Sequence, residues 1–336
     1  MNQPRYDVVA IGNAIVDVLA PADDAFIAAN GMTKGQMQLV FSPEDADALY
    51  ASMGPGQTVS GGSAANTVAG MAMLGSACAF IGQVADDQLG QVFAHDIRAG
   101  GIRFDVPPRA GQPTTGRCLI FVTPDGQRTM NTFLGASHYL PAEALDRQLI
   151  ADAAYLYIEG YLWDPEEPRA AMRAALEVAK AAGRKVAFTT SAEFVIDRHR
   201  GDFLQLIDEG RIDLVFANEA ELTALTEAVD VEAAIAAIAT KVETLVVTLA
   251  ERGALAVRGG ERVSVAAEPV DAVVDTTGAG DLFAAGFLHG QARGLDLERS
   301  LKLGAICAAE VIGHVGARPV ADLKVLVGGV LTPSSA

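Results

Sequence analysis

The chain alternates short apolar runs with longer amphipathic ones along most of its length, and that alternation leaves few folds open to it. "YDVVAIG", "SACAFIGQV", "AAYLYIEG", "KVAFTT", "IDLVFAN" and "TLVVTLA" are short, nearly continuous apolar runs. Strands buried on both faces read this way. Between them lie helix-period segments: "SPEDADALYASM", "DQLGQVFAHDIRAGG", "EPRAAMRAALEVAKAAG", "GDFLQLIDEG" and "NEAELTALTEAVDVEAAIAAIATKV". In the first of these Ser42 is placed to cap, Pro43 takes the first helical position, and acids follow in the first turn. The pattern predicts an α/β fold with a mainly parallel sheet covered by helices on both faces.

Two regions break the alternation. Residues 13–20 and 36–60 carry short strand-like pieces with Gly and Pro, and residues 103–135 contain "TTGRCLIFVTPDGQRTMNTFL", two strands around the turn "PDG". Together they predict a small second sheet, a lid over the carboxyl ends of the main strands, where ligands bind in such folds. A chain of 336 residues suits one large unit, 1–336, with such an appendage.

The net charge of −17 argues against nucleic acid and anionic membranes as partners. It leaves anionic substrates open, because a metal ion or a local patch reverses the field. With 50% hydrophobic and 20% charged residues the chain is globular, and disorder is expected only at the terminal "TPSSA". Cys78, Cys118 and Cys307 sit in apolar segments with no C-x-x-C, which reads as core thiols in a reducing compartment. No leader-like segment opens "MNQPRYDVVAIG", and "GMAMLGSACAFIG" is too short to span a bilayer, so a cytoplasmic protein is expected.

Several familiar motifs are missing. There is no G-x-x-x-x-G-K-[ST] and no H-E-x-x-H. Phe283 stands where G-x-G-x-x-G needs its last glycine, and Ala65 does the same for a nucleophile elbow at Ser63. What remains is "DTTGAGDLFAAGF". Gly278, Ala279 and Gly280 suit a sharp turn opening an apolar helix, and free N–H groups at a helix start make an anion site without a side-chain charge. Asp281 there is either a cap or a general base for a hydroxyl attacking a phosphate. In "GGSAANTVAG", Gly61 and Gly62 either let a ligand approach the backbone or make a tight turn, and Asn66 offers a donor and an acceptor to sugar hydroxyls. Asp17 in "GNAIVD" could accept from two vicinal hydroxyls. Asn218 and Glu221 in "NEAE" form either a capping box or an oxygen pair for magnesium. Arg128, after the "PDG" turn, is either a solvated side chain or a clamp on a phosphoryl group.

The order "GGSAANTVAG", "NEAE", "DTTGAGDLFAAGFL" resembles the ribokinase-type (phosphofructokinase B-type) sugar and nucleoside kinases, and the likeness runs from "VVAIGNAIVD" to "GHVGARP". The resemblance implies a ribokinase-like three-layer α/β/α sandwich with a small β lid, transferring the γ-phosphoryl of ATP to a hydroxymethyl group with Mg2+. It implies Asp281 as base and the amides of residues 278–281 as an anion hole. Asp17, Gly61, Gly62, Ser63 and Asn66 would hold sugar hydroxyls, and Asn218 and Glu221 would organise magnesium, through water. "VTLAERGAL" resembles the family's nucleotide turn, implicating Thr248 and Gly253, and Asp275 resembles a position near a K+ site.

Among these kinases the adenosine kinases are most similar, through "PTTGRCLIFVTPDGQRTMNTFLGAS" and "TTSAEF". Ile15, Cys118, Met130 and Leu162 would then wall a purine. Val68, Ala85 and Ala250 depart from the family pattern, the last two where glycine is usual. Asn131 and Thr132 make the lid more polar, which keeps another nucleoside or a sugar open as acceptor. A nucleoside-binding regulator without activity is the alternative from another class. A monomer or a dimer paired through lid edges fits either reading.

Overall fold

The computed structural model describes residues 3–331; the "TPSSA" tail lies outside them. Thirteen strands form among the described residues: β1 Tyr6–Ile11, β2 Ile15–Pro21, β3 Met37–Leu39, β4 Gln57–Gly61, β5 Cys78–Ile81, β6 Gly116–Val122, β7 Arg128–Phe133, β8 Ala153–Glu159, β9 Lys185–Thr189, β10 Leu214–Asn218, β11 Thr244–Thr248, β12 Ala254–Arg258 and β13 Glu261–Val265. They make two sheets. The larger has eight strands in the order β13-β12-β11-β10-β9-β8-β1-β5, the smaller five in the order β3-β7-β6-β2-β4.

Every strand read from a continuous apolar run lies in the larger sheet, and all of those pairings are parallel. Val8–Ile11, Val215 and Leu245–Val247 are fully buried, as a sheet covered on both faces requires. The β12–β13 hairpin adds an antiparallel edge that the strand reading passes over. Its signal is in the sequence: Gly259 and Gly260 both take positive φ, the conformation a two-residue hairpin turn demands.

Two helix readings shift. "NEAELTALTEAVDVEAAIAAIATKV" forms two helices, Glu219–Thr226 and Val231–Ile238, not one. Glu227 turns left-handed and ends the first, and the Asp230 carboxylate accepts from Ala233 N–H at 2.8 Å to start the second. "GDFLQLIDEG" is only the second half of a helix over Glu193–Asp208. Ser42 does cap the helix Pro43–Ala51, accepting from Asp45 N–H.

One helix contact positions the site. The helix Ala279–Ala292 packs closely against the helices Ser63–Met73 and Leu297–Ile312 through glycines. A Cβ on Gly70 would lie 2.5 Å from Leu282, and one on Gly290 would lie 2.6 Å from the Ser300 hydroxyl. Without side chains there, the backbones approach until the first turns of Ser63–Met73 and Ala279–Ala292 meet.

Candidate active site

A cleft of about 1480 Å³ opens between the smaller sheet and the carboxyl ends of β8–β11. The smaller sheet contributes one face to it, and the period of two decides which residues. Ile15 and Asp17 on β2, Cys118 and Ile120 on β6, and Met130 and Thr132 on β7 line the cleft. Registry sets Asp17, Cys118, Thr132 and Leu39 side by side across four strands. Of the two polar residues expected to make this wall polar, only Thr132 faces the cleft, and its hydroxyl donates to Cys118 Sγ at 3.3 Å. Asn131 is fully buried on the opposite face, donating to Met32 Sδ and accepting from Gln38.

Asp281 stands where the two helix starts meet. Ser63 Oγ donates to one carboxylate oxygen at 2.6 Å and Asn66 Nδ2 to the other at 3.0 Å. Burial raises the Asp281 pKa above the ordinary carboxylate value, opposed by these two donors and by Arg318. Gly278 caps the helix in the left-handed region, φ 80°, and a Cβ there would lie 2.8 Å from that of Ala317. The Ala279 N–H turns back to Thr276 O at 3.2 Å, which removes it from the expected anion hole and leaves the amides of Gly278, Gly280 and Asp281. A Cβ on Gly280 would meet nothing within 4 Å, so its side of the loop is open.

The glycine pair is held without side chains by its own surroundings. A Cβ on Gly61 would lie 2.5 Å from the Asp17 carboxylate, and one on Gly62 would strike Asn13 O. The glycines thus make room for the protein's own groups; Gly62 also lines the cleft, and Gly61 does not. Asp17 is pushed up to about 7 by burial, with Arg318 and then Arg128 pulling it down.

Two residues of the site escape the sequence reading. Glu159 ends β8, fully buried, and accepts from Asn13 N–H and Asn13 Nδ2 at 2.7 Å and from Ala64 N–H at 2.8 Å. It ties the loop after β1 to the start of the Ser63 helix. Burial pushes it up to about 7 against those three donors. Arg318 donates to Ser60 O and Ser60 Oγ and is lowered to about 10 by burial, against the pull of Asp17 and Asp281. Neither stands in one of the three ordered motifs; Glu159 is the last residue of an apolar strand, and Arg318 sits in the "GHVGARP" stretch where the family likeness ends.

Three expectations are corrected by placement. Leu162 is fully buried in the short turn of helix Gly160–Trp163 and does not line the cleft; its neighbour Tyr161 does, with its ring 6.0 Å from that of Phe194. Arg128, expected as a clamp on the phosphoryl group, does not reach the cleft. It is 7% exposed, lies outside the cleft lining, and pairs with Asp275. Asp275 accordingly faces a guanidinium where a potassium ion was expected, and its remaining bonds go to Thr277 N–H and Oγ1 and to Gly316 N–H.

Asn218 and Glu221 form the capping box: Glu221 N–H donates to Asn218 Oδ1 at 2.8 Å, and Asn218 N–H donates to Glu221 Oε2 at 3.1 Å. Thr190 Oγ1 also donates to Glu221, at 2.7 Å. Burial raises the Glu221 pKa, opposed by Thr190 and Asn218. Both residues line the cleft beside Thr248 and Gly253. Among the described residues no three His, Cys, Asp or Glu side chains converge as a metal cage. A magnesium ion that keeps most of its waters fits this arrangement, since such an ion needs only one or two protein carboxylates plus phosphate.

Residues 54–323 match the pfkB family of carbohydrate kinases. The chain belongs to that family. An adenosine kinase structure from Sinorhizobium meliloti is 48% identical with a TM-score of 0.90, covering 97% of this chain and 99% of its own. A probable sugar kinase from Rhizobium etli CFN 42 is 44% identical with a TM-score of 0.91, covering 98% and 100%. The Saccharomyces cerevisiae adenosine kinase is 26% identical over 332 residues, 92% of this chain and 95% of its own. The fold is therefore ribokinase-like, and this pfkB kinase is a phosphotransferase acting on an alcohol group. No helix among its described residues is long and apolar enough to cross a membrane.

Proposed function

We propose that this pfkB kinase transfers the γ-phosphoryl group of ATP to the 5′-hydroxyl of a nucleoside, converting adenosine to AMP. The observation that carries the reading is the wall of Ile15, Cys118, Ile120 and Met130 beside the Asp281–Ser63–Asn66 cluster. An apolar wall suits a flat base, and the polar groups next to it suit a ribose. The likeness to the Sinorhizobium adenosine kinase supports the same acceptor.

In this reading the acceptor hydroxyl gives its proton to Asp281, whose raised pKa makes it a stronger base than an ordinary carboxylate. The freed oxygen bonds to the γ-phosphorus, the bond from that phosphorus to the β–γ bridging oxygen breaks, and ADP leaves. The Gly278, Gly280 and Asp281 amides and the helix start take up charge spread over the phosphoryl oxygens. Asn218 and Glu221 would hold magnesium through water. When bound, the metal neutralises charge on the phosphates.

The test is ADP formation with ATP, Mg2+ and a panel of nucleosides and sugars. Adenosine should give the highest kcat/KM; no turnover of any nucleoside would sink the acceptor assignment. Asp17 and Thr132 on the acceptor wall favour a second reading, a sugar kinase acting on ribose, fructose or a keto-deoxy sugar acid, which the same panel scores.

A further inference from the structure

The pair Arg128–Asp275 joins the smaller sheet to the loop that precedes Asp281, and both side chains are almost wholly buried, 6% and 5% exposed. Arg128 shares its face of β7 with Met130 and Thr132, which wall the acceptor end of the cleft. On the other side, Asp275 is fixed by Gly316 N–H at 2.9 Å, and its other oxygen takes Thr277 N–H at 3.1 Å and Thr277 Oγ1 at 2.7 Å. Arg128 Nη1 also reaches Thr277 Oγ1, at 3.4 Å. Thr277 directly precedes Gly278, the cap of the helix that carries Asp281.

We propose that Arg128 and Asp275 form a latch through which β7 holds the anion loop in register with the acceptor, making Arg128 a positioning residue for phosphoryl transfer. The proposal rests on the kinase reading of the cleft and not on which acceptor is used. Two features favour a latch over a filler. A buried ion pair is an expensive way to fill space, since an apolar pair of similar volume serves as well. Arg128 Nε and Nη2 moreover have no hydrogen-bond partner. What the charges add is a fixed geometry at Thr277, on which the convergence of the following amides depends. Small displacements of such groups cost large factors in rate.

The experiment is a double-mutant cycle in kcat, run with whichever acceptor the parent enzyme phosphorylates, with folding checked by thermal unfolding. Arg128→Met and Asp275→Asn should each lower kcat by ~10–100-fold. The double variant should be no worse than either single, because both break one latch. Arg128→Lys, which keeps a cation for Asp275, should recover part of the loss. Asp275→Asn separates the latch from a direct phosphoryl clamp: it frees the guanidinium, so a kcat equal to or above the parent's would overturn the proposal, as would additive losses. If the singles do not fold, Arg128→Met/Asp275→Leu, with no lone buried charge, carries the test; a folded double variant with parental kcat refutes the latch. Calorimetric titration without acceptor reads the same element: Arg128→Met should weaken ATP more than ADP. Unchanged ATP binding relative to ADP refutes the latch even if the parent phosphorylates no acceptor, a result that would count against the acceptor reading alone.

Discussion

Replacing Asp281 by Asn separates base catalysis from architecture more cleanly than replacing it by Ala. The carboxylate accepts from Ser63 Oγ at 2.6 Å and from Asn66 Nδ2 at 3.0 Å. An amide keeps an oxygen for Ser63 but sets an NH2 group against Asn66. Asn66 Oδ1 is buried without a partner, so a half-turn of the Asn66 amide restores a bond and leaves one unpaired atom as before. The exchange of charge-assisted bonds for neutral ones costs about 1–2 kcal/mol, partly offset because a buried charge is removed. The melting temperature should therefore fall by only about 2–4 °C per kcal/mol of that cost. Turnover is another matter: loss of a positioned base costs ~10²–10⁴ in kcat, or about 3–5 kcal/mol of barrier. Steady-state ADP release with saturating ATP measures it. In the parent, kcat/KM should fall as pH drops through an apparent pKa above the usual carboxylate range, since Asp281 must be ionised to accept the proton; the variant should lack that limb. A folded Asp281→Asn protein with kcat within tenfold of the parent would refute the base assignment.

Gly253→Ala should lose at least about 2 kcal/mol, seen by thermal unfolding, because φ is 91° and the new Cβ would run into Val265 O and lie 2.7 Å from the Ala266 carbonyl carbon. Ala250→Gly should do the reverse by about 1 kcal/mol, since Ala250 holds φ 52° in the same turn. Glu159 is raised from 4.5 to about 7, so the stability it contributes is full below about pH 4.5 and declines as pH rises through about 7, a change of about 3 kcal/mol. Denaturant unfolding at pH 5.5 and 8.5, parent against Glu159→Gln, reads about 2 kcal/mol of that change, the part lost between pH 5.5 and 7, and equal pH slopes would contradict it. Chelating Mg2+ should stop turnover without moving the melting temperature of the free protein, given that no side-chain cage for a metal forms among the described residues.

The fold was legible because its strands are short, nearly continuous apolar runs and its lid segments break the rhythm; both are local signals. The site was legible where a motif concentrates it. Asp281, Ser63, Asn66, Asn218, Glu221, Thr248 and Gly253 line one cleft although they come from distant segments. Legibility failed where a role depends on a contact across the fold. Glu159 reads as the end of a strand, and only the pairing of β8 with β1 brings it to Asn13. Arg128 reads as a clamp on the phosphoryl group because it follows the lid turn, whereas the partner it pairs with lies 147 residues on, at Asp275. Leu162 and Tyr161 differ by one step in a short tight helix, whose phase no periodicity reveals over four residues. The need for Gly61 and Gly62 is likewise set across the fold, because a Cβ on them would meet Asp17 and Asn13.

The glycine-lined packing of the helix Ala279–Ala292 makes that helix a rigid lever with Asp281 at its tip. Gly290, which touches Ser300, lies nine residues away from Asp281, roughly 13 Å along the axis. A side chain added there would pry the far end outward and swing the carboxylate away from Ser63 and Asn66. Variants that erode activity should therefore collect in the hydrophobic interior as well as around the cleft, and a survey restricted to substrate-facing positions would miss them.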